Sequence, residues 1–449
     1  MLLLPRGAWA GTPESNATAT AAPPADGAAP APSSHFDFGG SFRTLPVALQ
    51  PLNLPDPHAR KQLEGAAVTQ LRLTLKWKPA DWFTSEAHVV QVFAASTLPG
   101  SVDDLTNAPP QRYRALGLTN TWAGGERSAA VVNVDRLTIK LSAPWFDVTV
   151  GRQAINFSKA YFFSPLDVFL PFGPRAIDRE YKPGVDAVRV DVPIGDQSGA
   201  NVVLAAGPAV DVDPVTQAFT PPRALYSAEP QTSALLARFF TTIGSWDLSA
   251  QGGSVYGGYH AAAGVAGELL TLGVRAEASY LVSRHMTLAR APPSAASPTI
   301  LVSGHHPSFV FSVDRRFENG LYISAEYFYN GAVTGDSFLA AALRTRIGET
   351  TNLGEHLVGA LVTYEATPTM KIKAASVLSI HPEHFSASAL VSPSVDWSVA
   401  ENVDLTVGAL LMFGARPAVD PSGTTVARSE FGLFPNVYYA QFKFYFGAH

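Results

Sequence analysis

The stretch DREYKPGVDAVRVDV, residues 178 to 192, decides the fold of this chain. Its second half alternates apolar and charged side chains: Val188, Arg189, Val190, Asp191 and Val192. Because successive side chains of a β-strand point to opposite faces, the stretch predicts a strand with one apolar and one charged face. Which face lies inside the molecule depends on how many such strands the chain contains.

The same period of two recurs along the whole chain after Phe36, in segments of roughly ten residues with almost no helical periodicity between them. An all-β fold is therefore expected. The pattern predicts eighteen strands, at 36–47, 66–78, 82–95, 131–142, 145–156, 184–194, 198–208, 231–242, 246–256, 259–269, 272–283, 307–317, 320–331, 355–366, 369–380, 384–395, 402–414 and 436–447.

The connections between these strands alternate in length along nearly the whole chain. Short ones include 79–81, 143–144, 244–245 and 367–369, and long ones lie near 48–65, 96–130, 157–183, 209–230, 284–306, 332–354 and 415–435. Alternating turns and loops are typical of a transmembrane up-and-down antiparallel β-barrel in the outer membrane of a Gram-negative bacterium. We expect about 18 strands, with 16 as the alternative. A lumen of that size is too wide to fill with side chains, so the apolar face should contact lipid.

Tryptophan provides a separate indication of the membrane boundary. Five of the seven tryptophans lie within a few residues of a short turn: Trp77, Trp82, Trp145, Trp246 and Trp397. Amphipathic rings are stable at the interface between lipid and water, so these residues predict an aromatic girdle on the periplasmic side. The alternative is that the rings cap hydrophobic cores beside the turns of a soluble β-protein.

Composition restricts the function further. With 32 basic and 37 acidic residues and no arginine-rich run, the chain has no field that favours nucleic acid, and no such partner is expected. Without cysteine it has neither disulfides nor thiolate ligands, and no cofactor or metal site is predicted. Residues 1–11 are interpreted as the remnant of a signal peptide, 12–35 as a disordered linker rich in Ala and Pro, and 36–449 as the barrel.

The long connection at 157–183 is the most informative loop. It is rich in aromatic residues and stiffened by prolines, a composition suited to packing inside a cavity, and the lumen is the cavity available. A loop folded into the lumen would narrow it and present charges to the solute. The predicted lining of a modestly basic, anion-favouring constriction is Arg72, Arg136, Lys140, Arg152, Arg175, Arg179, Lys182, Arg189 and Arg275. The alternative is a lattice of salt bridges that stiffens the wall without selectivity.

Three segments resemble bacterial outer-membrane porins of the alginate-export-like family. They are VGRQAINFSKAYFFSPLDVFLPFGPRAIDREYKPGVDAVRVDV at 150–192, QLRLTLKWKPADWFT at 70–84 and ISAEYFYNG at 323–331. The resemblance implies an eighteen-stranded barrel that conducts solutes passively, with an anionic polysaccharide as one cargo. The chain departs from the usual pattern at its end, where Gly447, Ala448 and His449 follow the last aromatic residue, Phe446.

The function expected is thus an outer-membrane channel for passive diffusion or export of small or anionic solutes. Its partners would be outer-membrane lipid, the solute and further copies of the chain in a homo-oligomer. An adhesin or purely structural barrel remains an alternative, as does a hydrolase. For an enzyme or a metal site, the candidate groups are His305 with His306, and His381, Glu383 and His384; we expect no catalytic residues.

Overall fold

The computed structural model describes residues 36–50, 62–98, 112–207, 232–255, 258–288, 300–333, 341, 344–345, 350–381, 385–419 and 425–448. The signal-peptide remnant at 1–11 and the linker at 12–35 lie outside the described residues. Among the described residues, no helix has the length and apolar character needed to cross a membrane.

The described residues form one barrel. In chain order the strands are β1 (Phe36–Gln50), β2 (Glu64–Ala80), β3 (Phe83–Ser96), β4 (Thr119–Gly124), β5 (Ser128–Ala143), β6 (Phe146–Gln153), β7 (Val185–Ile194), β8 (Ser198–Ala205), β9 (Ala234–Ile243), β10 (Trp246–Val255), β11 (Gly258–Leu269), β12 (Leu272–Leu288), β13 (Ile300–Arg316), β14 (Leu321–Asn330), β15 (His356–Thr367), β16 (Met370–His381), β17 (Phe385–Ala400), β18 (Val403–Phe413), β19 (Ala418–Val419), β20 (Thr425–Val426) and β21 (Asn436–Ala448). A single 3-10 turn spans Phe431–Leu433.

Every wall strand pairs antiparallel with its chain neighbour, and β21 pairs with β1 to close the ring. The short strand β4 joins this sheet beside β5, while β19 and β20 form a separate ribbon, so the wall itself has the eighteen strands that the sequence predicts. Each predicted strand is present, with ends displaced by a few residues. The predicted closed, antiparallel, up-and-down barrel is therefore confirmed.

The barrel has its apolar face outside. Leu137 and Ile139 are 46% and 48% exposed on the exterior, and Val188 and Phe311 share that face. The inward-pointing face of the wall carries buried polar side chains, among them Arg72, Glu277, Ser312, Glu326 and Gln441. An exterior band of this kind is stable only against hydrocarbon, because water would leave its apolar area unburied. The charged face of the strand at 185–194 lies inside.

The tryptophans occupy the exterior near the short turns. Trp82 and Trp145 are 61% and 71% exposed, and Trp77 and Trp397 are also exposed. Trp122, which the pattern places in a long loop, instead lies in β4 and donates its indole N–H to Gln91 at 3.1 Å. This hydrogen bond gives a partner to the side-chain amide of Gln91, which strand alternation places on the lipid-facing side.

Two features of the strands differ from the prediction: one connection and one additional strand. The connection expected at 284–306 is shorter, because β12 runs to Leu288 and β13 starts at Ile300, so the two strands continue as one long hairpin. Strand β4 has no counterpart in the prediction, because Thr119–Gly124 lacks the alternation of an embedded strand and all six residues are exposed. Its pairing is decided by the neighbouring β5 and not by its own pattern.

The hydrophobic core of this molecule lies in the lumen. One cluster joins wall residues to residues of the loop between β6 and β7, with Tyr113, Phe157 and Phe169 at its centre. A second cluster contains Phe162, Phe163 and Phe431. Eighteen strands enclose a wide lumen, and the folded loops of these two clusters fill much of it.

Candidate constriction site

Residues 154–184, here called the constriction loop, leave the wall at the end of β6. Gly151, shortly before that end, has a φ of +117° that favours glycine, and a Cβ there would lie 2.0 Å from the Leu137 carbonyl oxygen. The next residue, Arg152, is 1% exposed and donates to both Asp186 carboxylate oxygens, at 2.7 and 3.0 Å. It also donates to the carbonyl oxygens of Val134 and Leu116, which ties β5, β6 and β7 together where the loop begins.

The outgoing arm of the loop, residues 156–163, is held by two carboxylates on the opposite wall. Glu277 on β12 accepts the backbone N–H of Lys159 at 2.6 Å and the Ser158 hydroxyl at 2.9 Å. Glu326 on β14 accepts three consecutive backbone N–H groups, those of Tyr161, Phe162 and Phe163, at 2.5, 2.8 and 3.3 Å. Two wall side chains thus accept from five residues within 158–163 of the loop, which fixes this arm across the lumen.

Aromatic packing reinforces the same arm. Phe163 stacks on Phe328 of β14 with ring centroids 5.1 Å apart and an interplanar angle of 11°. Phe162 fills the space above Gly359 of β15, where an added Cβ would lie 2.6 Å from its ring. The aromatic and proline content of the loop thus reflects packing against the inner wall, and its predicted entry into the lumen is confirmed.

A buried ion pair holds the middle of the loop. Lys182 donates to Asp167 and, at 2.5 Å, to the Ile155 carbonyl oxygen, which joins the two ends of the loop to its centre. Burial raises the pKa of the Asp167 carboxyl and lowers the pKa of the Lys182 ammonium, while the charge of each partner opposes the shift of the other. The pair needs both members, because removal of either leaves an isolated charge in a dry site.

The return arm, residues 173–182, docks on the wall where the first and last strands meet. Asp178 accepts from Arg43 of β1 at 2.8 Å, and Glu180 accepts from Lys443 of β21 at 3.0 Å. Tyr181 lies between two guanidinium groups, those of Arg43 and Arg72, whose carbons are 4.6 and 4.1 Å from its ring centroid. The loop therefore spans the lumen and is anchored at both sides.

The structure brings most of the predicted constriction residues into ion pairs. Both Arg72 and Arg136 reach Asp135, at 2.9 and 3.3 Å. Seven of the nine have a carboxylate partner, in the pairs Arg72–Asp135, Arg136–Asp135, Lys140–Asp147, Arg152–Asp186, Lys182–Asp167, Arg189–Asp191 and Arg275–Asp314. These pairs match the salt-bridge lattice that the sequence left open as an alternative. Arg152 and Lys182 are enclosed, so their contacts are with protein rather than with the lumen.

Arg175 and Arg179 differ from the other seven. Neither forms a salt bridge with any residue in the described part of the chain. The Arg175 guanidinium lies 3.6 Å above the Phe434 ring, and Arg179 donates to the carbonyl oxygens of Tyr161 and Gly173. Burial lowers the pKa of Arg175 to about 10, with Glu430 acting against that shift, so its charge persists at neutral pH.

Several residues that build the site were not among those predicted as site residues. Arg43, Arg114, Asp135 and Glu326 each contact the loop or its partners, and Arg114 donates to Asp135 at 2.9 Å. Asp135 is an extra residue at a bulge between β3 and β5, so simple alternation does not place it in the lumen. The contact of Glu326 with the loop joins residues more than 160 positions apart, which no local pattern predicts.

The histidines considered for catalysis or metal binding do not converge. His305 and His306 lie in β13 and not in a loop, and they face opposite sides of the wall. His305 meets the Tyr280 hydroxyl at 2.9 Å on the exterior, whereas His306 contacts Arg344 inside at 3.0 Å. His381 contacts the Val333 carbonyl oxygen, and Glu383 and His384 lie outside the described residues.

No protein-family model matches the sequence, and no curated protein matches it either. Solved structures do match. Acinetobacter baumannii OccAB2 aligns with a TM-score of 0.54 at 8% identity, over 92% of this chain and 98% of that one. Pseudomonas aeruginosa OccK9 (OpdG) gives 0.54 at 9% identity, over 92% and 98%. The outer membrane protein opdK from Pseudomonas aeruginosa gives 0.50 at 8% identity, over 92% and 99%. The likeness shows the fold, an eighteen-stranded outer-membrane porin barrel.

Proposed function

We propose that this chain is a passive outer-membrane channel of a Gram-negative bacterium for small solutes, with a preference for anions. The observation that carries the proposal is the constriction loop, which crosses the lumen and places Arg175 and Arg179 there without a carboxylate partner among the described residues. The other seven predicted basic residues form ion pairs, which reduces their contribution to the net field. Selectivity is thus assigned to two arginines.

The barrel supports the rest of the proposal. Its exterior apolar band and tryptophans suit a lipid bilayer, and its interior is polar. Barrels of this fold include the outer membrane protein opdK. The finer resemblance, to the alginate-export-like group with a polysaccharide cargo, rests on sequence motifs alone, since the matching structures are Occ and Opd proteins. A homo-oligomeric state is likewise a proposal.

The test is ion selectivity in a planar bilayer. Fixed charges act over a Debye length of about 10 Å at 0.1 M salt, which is comparable with a narrowed pore, so they bias permeation most strongly in dilute salt. Under a potassium chloride gradient the reversal potential should have the anion-selective sign. It should shrink at about 1 M salt, where the Debye length falls to about 3 Å.

The variant with both Arg175→Gln and Arg179→Gln should lose most of this selectivity while remaining folded. The matched control is Arg189→Gln combined with Asp191→Asn, because it removes an ion pair of 2.7 Å without changing the net charge. A cation-selective reversal potential in the unmodified protein would show that acidic groups line the narrowest point. Absence of any conductance from a folded barrel would favour the adhesin or structural alternative.

A further inference from the structure

The closing seam of the barrel, where β1 meets β21, has an interrupted backbone ladder. Paired positions run from Phe38 with Ala448 to Thr44 with Phe442, stop, and resume at Val47 with Tyr439. Pro46 lies in the interruption, and proline has no N–H to donate to a ladder. The one strand pair that joins the two ends of the barrel sequence therefore lacks continuous pairing.

The same seam carries two like charges directly opposite each other. Arg43 and Lys443 are register partners across β1 and β21, and both point into the lumen, where they contact the constriction loop. Like charges at opposed positions of an antiparallel pair destabilise the pairing. A carboxylate that contacts both groups would remove this repulsion.

Asp178 of the constriction loop spans the seam next to the interruption. Its carboxylate accepts from the Arg43 guanidinium at 2.8 Å on β1, and from the Gln441 amide at 3.0 Å and the Lys443 ammonium at 3.4 Å on β21. The side chains of Arg43 and Asp178 are only 7% and 8% exposed, so solvent and salt screen their attraction weakly.

Glu180 spans the seam a second time. It lies 2.7 Å from the Arg43 guanidinium on β1, and it accepts from Lys443 at 3.0 Å and from the Tyr445 hydroxyl at 2.9 Å on β21. Asp178 thus hydrogen-bonds to both terminal strands, while Glu180 forms an ion pair with β1 and hydrogen bonds with β21. Two negative charges face the two positive charges of the seam.

We propose that Asp178 and Glu180 link the first strand to the last through ion pairs and hydrogen bonds, so that insertion of the constriction loop completes closure of the barrel. The loop then has an assembly role that is independent of narrowing the lumen. These contacts act at the seam, because the wall partners of the two carboxylates all belong to β1 or β21. The partners are Arg43, Gln441, Lys443 and Tyr445.

The experiment is hydrogen exchange of the full barrel in detergent, followed by mass spectrometry of peptides. The double variant Asp178→Asn with Glu180→Gln keeps side-chain size but removes both charges. Peptides from 38–45 and 437–446 should exchange about tenfold faster, since each hydrogen bond to a charged group stabilises by at least that factor. Peptides from the β15–β16 hairpin should be unchanged. The control Asp247→Asn removes the exposed ion pair with Lys159 on the outgoing arm, away from the seam, and should leave seam exchange as in the unmodified protein.

Adding Lys443→Gln to the double variant removes the repulsion with Arg43 and should restore slow exchange at the seam. If the double variant does not fold, Glu180→Gln alone supplies the same comparison. Unchanged seam exchange in a variant that lacks these charges overturns the proposal, and so does equal acceleration in every strand. None of these measurements depends on conductance.

Discussion

Single residues at the end of β6 decide where the chain leaves the wall. Gly151 has a positive φ and no room for a side chain, and Arg152 beyond it is enclosed among four hydrogen bonds. Arg152 lies directly opposite Asp186 in the register of β6 and β7 and forms its ion pair there. The local sequence Gly-Arg-Gln therefore encodes the exit of the constriction loop.

Gly151→Ala should destabilise the barrel. The added Cβ would meet the Leu137 carbonyl oxygen at 2.0 Å, and a non-glycine residue at this φ costs about 1–3 kcal/mol in backbone strain alone. Unfolding monitored by gel migration after graded heating should show a lower transition temperature. Gly173→Ala is the matched control, because nothing lies within 4 Å of its added Cβ and no positive φ is required there. Equal behaviour of the two variants would contradict this account.

At the scale of the element, the constriction loop is fixed at both arms and filled by aromatic packing between them. Its outgoing arm rests on Glu277 and Glu326, and its return arm on the seam. The loop has little regular secondary structure, so these side-chain contacts replace the backbone ladder that holds a strand. A loop of this kind stays in place only as long as its anchors do.

Deleting residues 160–176 and joining the ends by a short Gly/Ser linker should raise single-channel conductance without preventing folding. The deletion removes Arg175 and the aromatic packing of Phe162, Phe163 and Phe169. It keeps Asp178 and Glu180, which contact the seam. The measurement is single-channel conductance in a planar bilayer, and gel migration checks that the variant is folded. A folded deletion variant that conducts like the unmodified protein would show that the narrowest point lies elsewhere.

At the scale of the whole molecule, stability comes from closure. Each wall strand is paired on both sides, and the ring is completed by β21 on β1. Backbone groups that face lipid have no water to bond with, so opening the wall at any point exposes unsatisfied N–H and C=O groups. Unfolding of such a barrel is therefore expected to be cooperative.

The refolded barrel should resist sodium dodecyl sulfate unless it is heated. Unheated samples should migrate faster than boiled ones on a gel, and circular dichroism should show β-structure, because detergent does not compete for hydrogen bonds that are paired within the wall. Identical migration of heated and unheated samples, together with a helical spectrum, would rule out the barrel fold.

Two features of this protein follow from its sequence alone. The strands and their faces are local properties, since period-two alternation depends only on neighbouring residues, and the stretch at 185–194 already separates its valines from Arg189 and Asp191. The placement of the loop at 157–183 in the lumen also follows, because its aromatic and proline content suits no solvent-exposed connection. These inferences need no knowledge of distant contacts.

Only the tertiary structure decides which charged side chains form ion pairs and which do not. Arg72 meets Asp135 and Arg43 meets Asp178 across 63 and 135 positions of the chain. The bulge at Asp135 interrupts simple alternation between β3 and β5, and the positive φ of Gly151 is not visible in the alternation pattern. Ion pairing depends on distances set by barrel closure and loop docking, and no local pattern records those distances. A sequence can therefore predict a basic lining, but which of those basic residues, such as Arg175 and Arg179, lack an ion-pair partner among the described residues emerges only when the barrel is folded.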